Sequence, residues 1–394
     1  MTNPEPSPPT LGLFRLFLKF LRFGCLAFGG PVAQIAMVRQ SLVEEERWIS
    51  PQRFNRLLAV MQILPGPEAH ELCVHLGMVA RGRIGGLLAG LGFMLPGFAL
   101  MLLAGWLYDG WIVGRPGAAS IFFGIQVVVL AIILRAVQRI GAHILEDALL
   151  WIVAGASFAA TLAGVPFWIP LLAGGLVYAF SARKALAALI LVAAAALAWV
   201  IPASNGFHPA VAAAAGPATT LALFVAGLKG GLLTFGGAYT AIPYVRTDTV
   251  GRGWLSDGSF LDGVALAGIL PAPLVIFATF AGYVAGGWSG AVAITAGMFL
   301  PAFAFSMIFF ERLEAVVENP ALHHLLAGVA GAVVGVIAAT LVQLGWSTAE
   351  RASGLVVPIA IFAAALVLAW KLKGKLVIPA LIVAGGIAGW LLGL

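Results

Sequence analysis

Glu68, His70, Glu71 and His75 follow directly on Pro65-Gly66-Pro67 inside an apolar stretch of the chain. Glu68, Glu71 and His75 stand at i, i+3 and i+7, one face of a helix, with His70 off it. Ionisable groups on such a face within a membrane fit a proton relay, and Glu68 and Glu71 are the candidate proton-coupling carboxylates. The plain alternative is a half-helix near the interface with its charges solvated. A metal does not fit: zinc bound from one helix needs H-E-x-x-H, whereas these two histidines are five apart, roughly 140° around the axis. Nor does the chain carry a Walker-type loop, a dinucleotide fingerprint or a nucleophile elbow, so neither a cofactor nor a catalytic residue is expected.

The backbone around these groups carries its own signal. Phe28-Gly29-Gly30-Pro31 interrupts the first apolar segment and recurs as Phe235-Gly236-Gly237-Ala238, without the proline. Paired glycines permit unusual backbone angles and proline deletes an N–H, so both sites predict a broken helix. Pro65-Gly66-Pro67 recurs as Pro271-Ala272-Pro273 and predicts a second break, with a new half-helix whose unpaired N–H groups can receive an anion. Close helix packing at Gly-Gly and a simple kink at Pro-x-Pro are the alternatives. Arg39 and Arg246 are the basic pair that superposes beside these breaks, placed to attract an anion or to snorkel toward headgroups. The candidate ligand-binding set is therefore Phe28, Gly29, Gly30, Pro31, Gln34, Arg39, Pro65, Gly66 and Pro67, with Phe235, Gly236, Gly237, Arg246, Pro271, Ala272 and Pro273. In the second half, the counterparts of Glu68, His70, Glu71 and His75 are Leu274, Ile276, Phe277 and Ala281, so the ionisable run is one-sided.

What must position these residues follows from composition. The 394 residues are 61% hydrophobic and only 10% charged, with a mean hydropathy of +1.04; soluble domains hold about 25% charged residues. A soluble globular fold is excluded, as is disorder, and the lipid bilayer is the solvent such a chain requires. Cys25 and Cys73 lie in apolar runs and form no disulfide framework. The net charge of +6 is scattered between apolar spans, which argues against nucleic acid. The proline-rich residues 1–11 read as a short tail, not a signal peptide.

Cutting at charged and Gly/Pro punctuation gives roughly 13 apolar segments. The repeated motifs keep an offset that drifts only from 207 to 205 residues, from Phe28-Gly29 and Phe235-Gly236 to Leu95-Pro96 and Leu300-Pro301. The organisation expected is a tail (1–11), a first repeat (12–184), a linking span and loop (185–217) and a second repeat (218–394), all-α and polytopic. If every segment crosses, the two repeats are inverted, the design of many secondary transporters. The N-terminus is then cytoplasmic and the C-terminus outside, because most basic residues fall on the N-terminal side. Arg39, Arg47, Arg53 and Arg56, in one loop assigned to the outer side, weaken that count.

Phe28 to Ala36, Arg47-Trp48-Ile49-Ser50, Leu64 to Ala69 and Phe93 to Gly97 resemble the first half of the long-chain chromate ion transporter (CHR) family. Thr234 to Tyr239, Pro243-Tyr244-Val245, Gly253 to Ser256 and Asp262-Gly263 resemble its second half. The resemblance implies an inner-membrane carrier that expels chromate against inward protons and confers chromate resistance, with sulfate as a look-alike substrate. Pro271-Ala272-Pro273 departs from the Pro-Gly-Pro of the first copy. Import of sulfate or another oxyanion, an anion channel, and an intramembrane reductase or protease are the rival functions. Gly86 to Gly90 and Gly331 to Gly335 can pack helices within one protomer or between two copies in a homodimer.

Overall fold

The computed structural model describes residues 8–63, 65–112, 115, 117–201, 216–235, 237–308, 320–372, 374 and 376–394. Gly236, Leu64, Arg312, Lys373 and Lys375 fall outside them. The described residues are overwhelmingly helical, without a strand.

Both Gly-Gly sites break the chain where expected. α1 (Leu13–Cys25) ends before Gly29 and Gly30, at φ 89° and 78°, and α2 (Gly30–Arg39) follows. A π-turn then leads to α3 (Pro51–Ile63). Next, α4 (Glu68–Leu107) reverses at Arg81 and Gly82. Gly82 has φ 61° and ψ −158°, a region that glycine alone occupies freely. The two arms, 68–80 and 83–107, lie against each other through glycine: a Cβ on Gly77 would come within 2.5 Å of the Ala89 Cβ. After it come α5 (Ala118–Ile144), α6 (Ala148–Leu162), α7 (Trp168–Ala179) and α8 (Lys184–Val200), the last with no buried residue. Asp147 caps α6 and accepts a 2.7 Å bond from the Tyr178 hydroxyl, which holds its carboxyl below the usual range.

The second half repeats the plan. α9 (Thr220–Leu232), α10 (Ile242–Thr249) and α11 (Asp257–Ile269) lead to α12 (Phe277–Ile308). α12 reverses at Gly286 and Gly287, and Gly287, at φ 63° and ψ −152°, nearly copies Gly82. Thr279 and Thr295 close this hairpin with a buried 2.7 Å hydroxyl contact. α13 (Pro320–Glu350), α14 (Val356–Lys371) and α15 (Val377–Leu392) complete the chain.

Four stretches are long and apolar enough to cross a membrane: Glu68–Ile112, Ala118–Ile144, Leu274–Ile308 and Leu322–Glu350. The first and third are the hairpins, so in each it is the second arm that has spanning length. Six shorter apolar helices accompany them. The halves exchange helices: α5 packs on α14 and α15, and α13 on α6 and α7. α5 and α13 run antiparallel, since Gly141 meets Val334 while Gln126 lies at the Arg351 end of α13 beside Gly258. Gly86 and Gly90 are filled by Met78, Val74 and Phe303, and Gly331 and Gly335 by α6, so both glycine motifs pack within the chain.

At the breaks the chain turns so that successive short helices lie alongside one another. α10 folds back along α9, with Gly230 against Val245 and Lys229 bonded to Asp248 at 3.2 Å. The Trp254 indole beyond α10 reaches the Gly216 carbonyl ahead of α9 at 3.1 Å. In the first half Lys19 of α1 pairs with Glu46 beyond α2, and Phe20 packs on Trp48 at 6.3 Å. α11 turns back in the same way: Gly263 of α11 lies on Phe280 of the first arm of α12. Each limb holds 8–13 residues, at most about 20 Å, short of a hydrocarbon core of about 30 Å. The break turns the chain around because the returning limb finds its own partner limb to bury against.

Candidate functional site

Four broken-helix tips meet at the interface of the halves, and their bonds run crosswise. Gln34 is buried and donates from Nε2 to the Ala27 carbonyl of its own tip and, at the same 2.9 Å, to the Ala272 carbonyl of the opposite Pro-Ala-Pro tip. The Gly66 N–H of Pro-Gly-Pro bonds to the Thr234 carbonyl, next to Phe235, at 2.8 Å. Small residues allow this approach. Gly66 faces the Ala302 Cβ and Gly97 faces Ala272, so each contact joins one glycine to one alanine. That pairing accounts for Ala272 where the first copy has Gly66: the space is supplied from the other side.

Glu71 is fully buried beside Gly66, where no Cβ could stand without striking its carboxyl. Among the described residues, neither Glu71 carboxylate oxygen has a hydrogen-bond partner, nor does Gln34 Oε1. His70 packs edge-on against Phe299 and Phe303 at 4.9 and 4.8 Å. One turn before Glu71, Glu68 opens into a cleft of about 500 Å³ with Phe235, His143, Glu146, Tyr178, His323 and His324. A second cavity, about 680 Å³, lies at the other end of the α5–α13 pair, lined by Tyr108, Arg115, Gln126, Ser259, Asp262 and Arg351. The tips thus stand between two openings on opposite ends of the spanning helices. Among the described residues no group of His, Cys, Asp and Glu could hold a metal.

The structure gathers Phe28, Gly29, Gly30, Pro31, Gln34, Pro65, Gly66, Pro67, Phe235, Gly237, Pro271, Ala272 and Pro273 at or beside these tips. Arg39 and Arg246 stand apart from them. Arg39 ends α2, half exposed, 3.4 Å from Glu44 and over the Phe54 ring. Arg246 is buried in a two-pronged pair with Asp257, at 2.7 and 3.0 Å, and donates to Gln343 at 2.9 Å. It already has its counter-ion. Asp262 entered only as part of a family-like motif and not as a site candidate, although an acid inside an apolar segment is a signal of its own.

The chromate transporter family model matches the chain twice, over residues 14–220 and 221–390. A chromate transport protein of Pseudomonas aeruginosa is 57% identical over 98% of this chain and 94% of its own length. One from Cupriavidus metallidurans is 32% identical over 98% and 96%, and an uncharacterized transporter of Methanocaldococcus jannaschii is 28% identical over 84% and 85%. No solved structure matches significantly. With two family copies and near-complete coverage, this integral membrane protein belongs to the chromate transporter family.

Proposed function

We propose that the protein is a secondary carrier of the plasma membrane that exports chromate, driven by the membrane potential and inward protons, and so confers chromate resistance. The observation that carries this reading is the crosswise junction of four re-entrant tips between two oppositely placed cavities. Paired broken elements from two repeats are where secondary transporters bind substrate. The antiparallel course of α5 and α13, equivalent helices of the halves, supports inverted repeats.

Orientation follows from charge. Because α1–α2 turns back, the loop with Arg39, Arg47, Arg53 and Arg56 lies on the same face as the Arg81 hairpin apex. Arg183 and Lys184, just past Tyr178 at the Glu68 cleft, join them. That face is cytoplasmic by the excess of basic residues, and the loop that weakened the count now strengthens it. Leu394, at the rim of the other cavity, is outside.

The anion sits at the tips, where backbone N–H groups freed by the Gly-Gly and Pro-x-Pro breaks receive its oxygens. Glu71 takes up and releases the proton there, and Glu68 connects it to the cytoplasmic cleft. Moving one charge through 100 mV is worth about 2.3 kcal/mol, so a dianion leaving a negative interior gains roughly twice that, and an entering proton adds to it. The test is radiolabelled chromate uptake into everted vesicles, energised or uncoupled, with and without excess sulfate. Energised uptake lost on uncoupling supports export. Chromate-inert everted vesicles beside sulfate uptake by right-side-out vesicles would overturn it.

A further inference from the structure

Asp262 is 3% exposed at the floor of the 680 Å³ cavity, fixed by Gln126 Nε2 at 2.8 Å and the Tyr108 hydroxyl at 2.7 Å. It belongs to the second half, and both donors to the first. Two guanidinium groups line the same cavity. Arg351 spends Nε on the Ser347 carbonyl, at 3.1 Å, and Nη2 on the Thr348 hydroxyl, at 3.3 Å. Its Nη1 is left facing Gly258: a Cβ there would come within 2.6 Å of it. Arg115 lies over the Trp111 ring at 5.7 Å, with no carboxylate paired to it among the described residues.

We propose that this vestibule is a second binding site for tetrahedral oxyanions, on the face opposite the Glu68 cleft, with Arg351 Nη1 and Arg115 as its charged donors. The inference rests on the transport reading for its ligand class but on different residues. Two cations converge from two halves of the chain on a cavity large enough for a hydrated dianion, and charge-assisted donors are the groups that recognise such oxygens. A guanidinium that merely capped α13 needs only the two bonds Arg351 already makes. Ser259, its hydroxyl 3.3 Å from the Tyr108 oxygen, adds a polar group at the same wall. Asp262 is a positioning residue: it keeps Gln126 and Tyr108 in place. In an exporter the site is the last station before release, and in the reverse direction the first of capture.

The experiment uses the full chain in proteoliposomes of one orientation, with radiolabelled chromate presented to either face. For the Arg115→Gln, Arg351→Gln double variant the half-saturating concentration from the Arg351 face rises about tenfold or more, while that from the Glu68 face stays within about twofold. Arg351→Lys, which keeps the charge, recovers part of the loss if the site is electrostatic. Unchanged half-saturation from both faces, or an equal change from both, overturns the proposal. If wild-type protein moves no chromate at all, the transport reading fails by itself. Equilibrium binding of radiolabelled sulfate to the protein in nanodiscs then decides the vestibule: weaker binding in the double variant supports it, and equal binding overturns it.

Discussion

Gly82 and Gly287 reverse their helices at nearly the same backbone angles, and the approach of Gly24 to the Phe93 carbonyl in the first half is matched by that of Gly231 to the Met298 carbonyl in the second. On that shared frame the halves carry opposite chemistry. The first half puts Glu68, His70, Glu71 and His75 on the arm after its Pro-Gly-Pro tip, where the second half has buried Leu274, Ile276, Phe277 and Ala281. The second half in turn buries the Arg246–Asp257 pair and Asp262, where the first has the half-exposed Arg39, Pro51 and Arg56. A duplicated fold needs its bends twice, because each half must turn back at the interface. The ionisable run, by contrast, stands in one copy alone, at a junction that both halves share.

The largest effect expected from this comparison is at Glu71. Glu71→Gln keeps the shape and removes the titration, so energised chromate uptake falls about 100-fold or more, whereas Leu274→Met at the apolar tip changes it little. Comparable loss in both would dissolve the asymmetry. Next is Arg246→Leu, which strands Asp257 in a buried setting and costs about 3–5 kcal/mol; Arg39→Leu, at an exposed pair, costs under about 1 kcal/mol. Chemical unfolding of the purified protein separates them. Gly287→Ala and Gly82→Ala each force a side chain into a glycine-only region at about 1–3 kcal/mol, and equal penalties are expected. Smallest is the Gly97–Ala272 contact. Gly97→Ala alone is overpacked by about 1–3 kcal/mol, and adding Ala272→Gly returns most of it, read as a double-mutant coupling.

Much of this was legible in the residues. The bilayer environment, the repeat, the positions of all four breaks and the acids beside one of them follow from composition and spacing, and each break is a break in the fold. Arg246 misled because its partner Asp257 is 11 residues away and Gln343 is 97; nothing local marks a cation as already neutralised. Asp262 was passed over as a site candidate because its donors, Tyr108 and Gln126, come from the other half. Whether α2 continues α1 or returns along it is likewise set by distant contacts, such as Lys19 with Glu46.

Amino-acid order alone determined that the chain lives in lipid and where its helices must stop, because hydrophobicity and the loss of N–H or side-chain constraint at Gly and Pro act locally. The direction taken after each stop was decided only in three dimensions. A Gly-Gly or Pro-x-Pro tip frees the same backbone groups whether the chain goes on or turns back. In a bilayer those groups must find partners in protein, and the partners, such as the Gln34 amide for Ala272 and the Thr234 carbonyl for Gly66, come from the opposite half.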